Sequence, residues 1–482
     1  MKNQMMALIL LGTSLTGCGV GGLGTLGITN PPPLTNPTPT IVAISPNSAD
    51  AGSAAFTLSV VGSNFIPTST VQWNGTSRLT KYLSATLMTA EIASSDLAGA
   101  GPDIVTVVNP APEGGLSNTK DFVVPCVIPS PTPATNQSRA KVGAFYFDGW
   151  ATPLNNFHFD GLLNGNFKGR EPLSGWQDAE PCAIERQLSW AHNFGIDFFV
   201  FDWYFNATLN EPGDNLNSAL QITHSLPDRH GMQYAIQYVS APPFLVGPSD
   251  WASAVEEWVG YMSDPAYLRI NGKPALFIIN VGQVRQDFGS SIAVANALQQ
   301  LRTAAVGKGL PGVYVVGGFG IPEGTVGQES LDDGFDIAGS DGYDAVAFYN
   351  YPFGPPPIDG MLPFSALADT GRWTWDQARL HCPIPFIPTA MAGWDPRPPN
   401  QPEPVTGKLV WYSRSAQDVA ALLQDSIAWV QANPPLRPEP VPAPPLVLIE
   451  AWNELGEGSY VVPGVADGSS YGDAIAQMLT AP

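Results

Sequence analysis

Positive charge is scarce in this sequence. Of its 482 residues only 21 are Lys or Arg, against 42 Asp and Glu, and the formal net charge is −21. Such a surface is repelled by phosphate backbones and anionic membrane faces, so nucleic acid is excluded as a partner. Charge of either sign is thin, at 13% of residues. Cysteine is rarer still: Cys18, Cys126, Cys182 and Cys382 are the four, none in CxxC spacing, which argues against structural zinc. Five histidines are scattered, with no HExxH, and no GxSxG occurs. A zinc hydrolase and a serine elbow are thereby set aside. GVGGLG at 19–24 spells a dinucleotide pattern, but it follows no strand and opens no helix. No cofactor and no metal are expected. Beyond the first residues, no apolar run is long enough to span a bilayer.

What is present begins at the N-terminus. MKNQ supplies one positive charge, and MMALILLGTSL is a short apolar run with the character of a signal-peptide core. LTGC follows, Leu15 to Cys18, and resembles the bacterial lipobox. The resemblance implies a signal peptide over 1–17, lipidation of Cys18, and export as a lipoprotein anchored to the outer membrane. Whether the chain then faces the periplasm or the cell exterior stays open. An oxidising compartment permits a disulfide. Cys182 with Cys382 is the pairing expected, because both lie in the large domain.

Composition divides the rest. Residues 18–40 are a Gly- then Pro-rich tether. Residues 41–125 hold short, turn-bounded β-rich runs, among them FTLSVVGSNF, VQWNG, DIVTVVNP and TKDFVV, spaced as in a small antiparallel sandwich. Their order resembles the IPT/TIG immunoglobulin-like family, which implies a spacer or accessory binding module. Residues 126–140 form a second linker, containing VIPSPTPATNQSRA. From 141 to 482, eight buried strand-like runs alternate with amphipathic helices: 142–147, 197–203, 234–239, 275–280, 313–318, 345–351, 385–391 and 446–452. The pattern predicts a multidomain chain whose large part is a (β/α)₈ TIM barrel. Apolar stripes mark the helices, including Ile292, Ala295, Leu298 and Leu301 in one and Val419, Leu422, Leu423, Ile427 and Val430 in another. Ser415 with Asp418 reads as an N-terminal cap for the latter.

In such a barrel the site lies at the C-terminal strand ends. Those ends carry Asp148 and Trp150, then Asp202, Trp203 and Tyr204, then Tyr238, Asn280, Tyr349 and Tyr351, then Trp394 and Asp395, and last Trp452 and Asn453. Carboxylates and amides bind vicinal hydroxyls, and aromatic faces stack on the C–H side of a sugar ring. A carbohydrate substrate is therefore expected. Glycoside cleavage commonly uses two carboxyl groups, one of them kept protonated near neutral pH. Glu454 and Glu457, three apart in IEAWNELGEGSY, are spaced to enter one pocket from a helical or tight-turn loop. Glu450 stands alone in the preceding run, facing either the barrel interior or a helix.

WNELGEGSYVVP resembles the closing motif of glycoside hydrolase family 99 and WbsX-like proteins. AFYFDGW, QLSWAHNFGIDFFVFDWYF, YLRINGKPALFI and AGWDPRP are similar to other pieces of that family, in order. The resemblance implies Glu454 as a base acting on the sugar's own 2-hydroxyl and Glu457 as acid then base. A 1,2-anhydro sugar would form, with net retention. Leu455 departs from the family's aromatic, Val462 stands where it has a glutamate, and Pro396 follows Gly-Trp-Asp. These departures bear on sugar specificity and leave both glutamates in place. Two other readings stay open: a non-catalytic glycan-binding or adhesin-like lipoprotein, and a WbsX-like glycosyltransferase. A monomer is expected.

Overall fold

The computed structural model describes residues 35–50, 53–97, 101–125, 128, 140–151, 157–163, 165–206, 216–319, 328–351, 360–398 and 410–481. The expected signal peptide, Cys18, Cys126 and most of both linkers lie outside the described residues.

Between Thr40 and Val124 the β-rich runs form two antiparallel sheets. One has Thr40–Ser45, Phe56–Ser63, Leu87–Ile92 and Thr80–Ser84 in that order. The other is built on Gly101–Asn109, flanked by Thr70–Trp73 and Lys120–Val124. Alternation along the strands decides which side is buried. In Phe56–Ser63, Leu58 and Val60 are buried while Thr57 and Val61 are exposed. Leu58, Val60, Val71, Trp73, Met88 and Phe122, drawn from both sheets, share one core.

The barrel strands are β1 (Lys141–Tyr146), β2 (Phe198–Trp203), β3 (Gln233–Tyr238), β4 (Lys273–Ile278), β5 (Tyr314–Gly317), β6 (Ala345–Ala347), β7 in two pieces (Phe386–Ile387 and Thr389–Met391) and β8 (Leu446–Glu450). All pair in parallel, and β1 pairs with both β2 and β8. The ring closes through β7. Its first piece pairs with β6 and its second with β8. Pro388, which has no N–H to give a ladder, sits at the break. All of β2 and β8 is buried, as strands covered on both faces require. At Gly143 in β1 a Cβ would come within 2.2 Å of the Phe198 ring, so only glycine lets β2 approach.

The helices are α1 (Pro181–Asn193), α2 (Ser218–Ser225), α3 (Trp251–Met262), α4 (Val281–Phe288), α5 (Ser291–Gly307), α6 (Gln328–Asp341), α7 (Phe364–His381), α8 (Ala416–Ala432) and α9 (Ser470–Thr480). Three expectations need correction. Strands β4, β6 and β8 stop earlier than the apolar runs, so Asn280, Tyr349, Tyr351 and Trp452 belong to loops at the mouth. Their neighbours, such as the four-residue β5 and two-residue first piece of β7, offer no ladder further on. In α5 the buried stripe is Val294, Ala297, Leu298, Leu301 and Ala305, and Ile292 is exposed. The expected Cys182–Cys382 pairing is also wrong. Cys182 on α1 packs on the core of the antiparallel sheets and is disulfide-bonded. Cys382, just past α7, is a free thiol. Burial pushes that thiol up to about 12. The same side of the barrel meets the small sheets through Ser94, which donates to Glu171 at 2.6 Å, and Gln177, which donates to the Ser95 carbonyl. Among the described residues no helix is long and apolar enough to cross a membrane.

Ser415 accepts from the Asp418 backbone N–H, and the Asp418 side chain accepts from Ser415 in return, a complete capping box. Ser415→Ala removes one half of it. The barrel's unfolding transition in urea is expected to lose about 1 kcal/mol.

Candidate active site

β8 ends at Glu450, and the chain then doubles back. Asn453–Glu454 pairs antiparallel with Ser459–Tyr460, so Glu457 lies in the turn of a short hairpin over the mouth of the barrel. Gly458 permits that turn, with φ +69° and Asp395 too close for a Cβ. The hairpin is held from several sides. Trp452 N–H donates to the Phe145 carbonyl at 2.7 Å, and the Asn453 amide makes two hydrogen bonds to the Phe147 backbone. Arg170 donates to the Leu455 carbonyl at 2.9 Å and pairs with Asp395 at 2.5 Å. Asp395 N–H in turn donates to the Glu457 carbonyl. Arg414 donates to the carbonyls of Ala392 and Tyr460 and lies over the Tyr460 and Tyr471 rings.

Inside this brace stand Asp202, Glu450, Glu454 and Glu457. Tyr349 donates its hydroxyl to Glu454 at 2.6 Å and lies 3.4 Å from Asp202. Gln237 donates to the other Asp202 oxygen at 2.8 Å. Among the described residues no Lys or Arg makes an ion pair with any of the four carboxyls. Burial leaves Glu454 raised above its ordinary value, with the Tyr349 hydroxyl and the His158 charge opposing the rise. Glu457 is held well above the usual carboxyl range, first by burial and then by the charges of Glu454 and Asp202. Asp202 is raised by burial and by Glu454, and Glu450 by burial and then by Glu457. Glu454 and Glu457 keep partial exposure as residues, although their carboxyl ends sit deep enough for burial to dominate. All four carboxyls are thus raised, and Glu454 alone among them has a hydrogen bond and a positive charge as its main opposing influences, an asymmetry of the kind general acid–base chemistry uses.

The expected rim contracts. Asp148 is fully buried and accepts the backbone N–H groups of Ala219 and Leu220 at the start of α2, 3.0 Å each. Asn280 caps α4. Trp150 donates to the Asn453 carbonyl within a cluster with Phe159 and Trp176. Trp203 is buried and donates outward to Glu257 on α3. Tyr204 packs on Phe244. Tyr238 accepts from Val246, and Tyr351 is held by Thr389 and Met391. Trp452 is fully buried and donates to Gln187. These side chains are engaged in building the mouth. Of the residues expected to bind substrate, Asp202 and Tyr349 join the two glutamates, while Trp394 and Asp395 flank them half-buried. Arg397 and Arg170 overcome the burial of Asp395 and hold it below its ordinary value.

Sequence reasoning missed Glu450 as a member of the cluster, and the buried Asp178 beside Gln187. Gln187 accepts from Tyr146 and Trp452 and donates to Asp178 at 3.0 Å, binding α1 to β1 and to the hairpin. The Q-x-x-x-A element of the sequence marks Gln187, but nothing local marks its partner. Among the described residues no three His, Cys, Asp or Glu are placed to hold a metal ion.

No family model matches the chain, and no curated protein matches it. Solved structures are similar at low identity. The GH99 endo-alpha-mannosidase from Bacteroides thetaiotaomicron is 14% identical, covering 72% of this chain and 96% of that one, with a TM-score of 0.44. An exo-beta-1,4-mannosidase from Opitutaceae bacterium strain TAV5 is 11% identical over 74% of this chain and 63% of its own, with a TM-score of 0.39. The TIG domain of human nuclear factor of activated T-cells, cytoplasmic 4, is 20% identical over 18% of this chain and 89% of its own, with a TM-score of 0.15.

Burial pushes the Asp178 carboxyl up to about 7 from an ordinary 3.8, against the opposing hydrogen bonds of Gln187 and Tyr146. The folded chain therefore keeps this proton between about pH 4 and 7 while the unfolded chain gives it up, so stability falls as pH rises through that window. Asp178→Asn keeps an acceptor for Gln187 and removes the ionisation. In urea titrations at pH 4.5 and 7.5, the variant is expected to gain on wild type at the higher pH, by at most ~4 kcal/mol.

Proposed function

We propose that this chain is a glycoside hydrolase that cleaves an oligosaccharide or polysaccharide with retention. The observation that carries the reading is the unequal pair of glutamates in one hairpin at the end of β8. Burial raises both, but the Tyr349 hydroxyl opposes the rise at Glu454, whereas the charges of Glu454 and Asp202 add to it at Glu457. In the proposed reaction Glu454 accepts the proton of the sugar's 2-hydroxyl, whose oxygen attacks the anomeric carbon. Glu457 gives its proton to the departing glycosidic oxygen. Water then opens the 1,2-anhydro sugar, with Glu457 taking the water's proton and Glu454 returning one to O2. The scheme departs from the usual retaining one, in which a carboxylate attacks carbon directly. The motif resemblance of residues 452–463 supports the assignment of these two roles. The same reading takes residues 18–40 as a tether from a lipidated Cys18 at the outer membrane, 41–125 as an immunoglobulin-like IPT/TIG spacer, and the chain as monomeric.

Both glutamates are testable by turnover of a glycan panel that includes α-mannans and bacterial polysaccharides. Glu454→Gln and Glu457→Gln are each expected to lower kcat about 10³-fold or more. On a glycosyl fluoride, which needs little acid assistance, Glu457→Gln is expected to recover much of its rate and Glu454→Gln is not. Unchanged cleavage in both variants moves the chemistry elsewhere. Binding without cleavage favours the adhesin-like reading, and turnover only with a nucleotide sugar favours a transferase.

A further inference from the structure

The small antiparallel module meets the barrel at the loop between β1 and α1. On the module side the contact is presented by a 3₁₀ turn, Ser94–Leu97. Leu97 is fully buried in the module's core, and Arg78 donates to both carboxyl oxygens of Asp96, at 2.9 and 2.6 Å. The turn is thus fixed from within the module. Ser94 donates to Glu171 at 2.6 Å, and the Ser95 carbonyl accepts from Gln177 at 3.4 Å. Cys182, at the start of α1, packs on the module's core and is disulfide-bonded. Cys382 is free, so the partner of Cys182 is Cys18 or Cys126, both of which precede the barrel.

The loop that receives the module also holds the hairpin. Glu171 follows the 3₁₀ turn Gly165–Arg170. Its neighbour Arg170 donates to the carbonyl of Leu455, in the hairpin's turn, at 2.9 Å. The loop backbone runs against the residues just past the hairpin's second arm. Val465 N–H donates to the Glu171 carbonyl at 2.9 Å, Ala466 N–H to the Gly169 carbonyl at 2.9 Å, and Leu173 N–H to the Pro463 carbonyl at 2.8 Å. Glycine at 169 allows this approach, because a Cβ there would come 2.7 Å from that of Ala466. Glu171 therefore touches the module with its side chain and the hairpin's continuation with its backbone. From Ser94 to Leu455 every link is a hydrogen bond or a peptide bond.

A loop outside regular secondary structure opens locally unless a larger body ties it down. The hairpin has a particular need of such a tie, since it carries two buried carboxyls of like charge. We propose that the small module is a buttress of the carboxyl cluster and not a spacer alone. Docked through Ser94 on Glu171, it limits the opening of the hairpin that holds Glu454 and Glu457. Glu171 is a positioning residue: it acts through Arg170 and the backbone seam and does not enter the cluster. The inference does not depend on which reaction the two glutamates perform.

Hydrogen exchange of the full chain, read by mass spectrometry, tests this without a substrate. Peptides over 453–460 report the hairpin, and α5, which packs on α3, α4 and α6, is the reference. Ser94→Ala and Glu171→Ala each remove the docking bond, and Glu171→Gln keeps an acceptor for the Ser94 hydroxyl. The hairpin is expected to exchange about fivefold faster in each alanine variant, with α5 unchanged and Glu171→Gln close to wild type. The double alanine variant is expected to match the single ones, as loss of one shared contact requires. A hairpin as protected in Ser94→Ala as in wild type overturns the proposal, even where residues 165–171 exchange faster. Acceleration of the hairpin and α5 together also overturns it, because that reports a general loss of stability. So does a Glu171→Gln variant that behaves like Glu171→Ala. Ser94→Ala deletes only a hydroxyl at the module's surface and serves if the Glu171 variants do not fold.

Discussion

The site depends on one electrostatic constraint: Asp202, Glu450, Glu454 and Glu457 share an enclosed space in which, among the described residues, no Lys or Arg pairs with them. Each added negative charge makes the next more costly, and burial multiplies that cost. The cluster resolves the conflict by ranking its members. Glu454 receives the Tyr349 hydroxyl and feels the His158 charge. Glu457 and Glu450 are pushed well above the ordinary carboxyl range, first by burial and then by their acidic neighbours. The ranking sets which group can accept a proton and which can give one.

The rest of the barrel keeps these groups from escaping one another. Repelling carboxyls in a loop would swing apart, so the loop is tied at both ends. Arg170 and Arg414 grip the hairpin through its carbonyls and neutralise nothing in the pocket itself. Their charges are directed to Asp395 and to aromatic faces, outside the cluster. The closed ring of strands contributes by putting β8 beside β1, where Asn453 binds the Phe147 backbone. Besides burial and each other, Glu454 and Glu457 are therefore tuned by Asp202 of β2 and by His158 and Tyr349 in the loops after β1 and β6.

Much of this is legible in the amino-acid sequence. The buried runs announce eight parallel strands, and the Ser415–Asp418 spacing announces a cap. The clustering of glutamates after the last strand points to chemistry there. What sequence does not carry is direction. An aromatic at a strand end looks the same whether its ring faces a ligand or the core, and Trp150, Trp203 and Trp452 face the core because neighbouring aromatics and Gln187 receive them. Glu450 is ambiguous in sequence because its surroundings are made by Ser459, nine residues on, through a hairpin with no strong local signal. Ile292 fits a three-residue repeat, but the helix turns Val294 and Ala297 inward in its place. Shared membership of the large domain suggests a barrel partner for Cys182, whereas its helix packs on the antiparallel sheets.

The most direct test of the account is a carboxyl titration of the wild-type chain by ¹³C NMR, with Glu454 and Glu457 assigned separately. The ranking predicts that Glu454 loses its proton first and that Glu457 still carries its own at the pH where Glu454 is ionised. Simultaneous ionisation of both at ordinary carboxyl pH, or Glu457 ionising first, would contradict it.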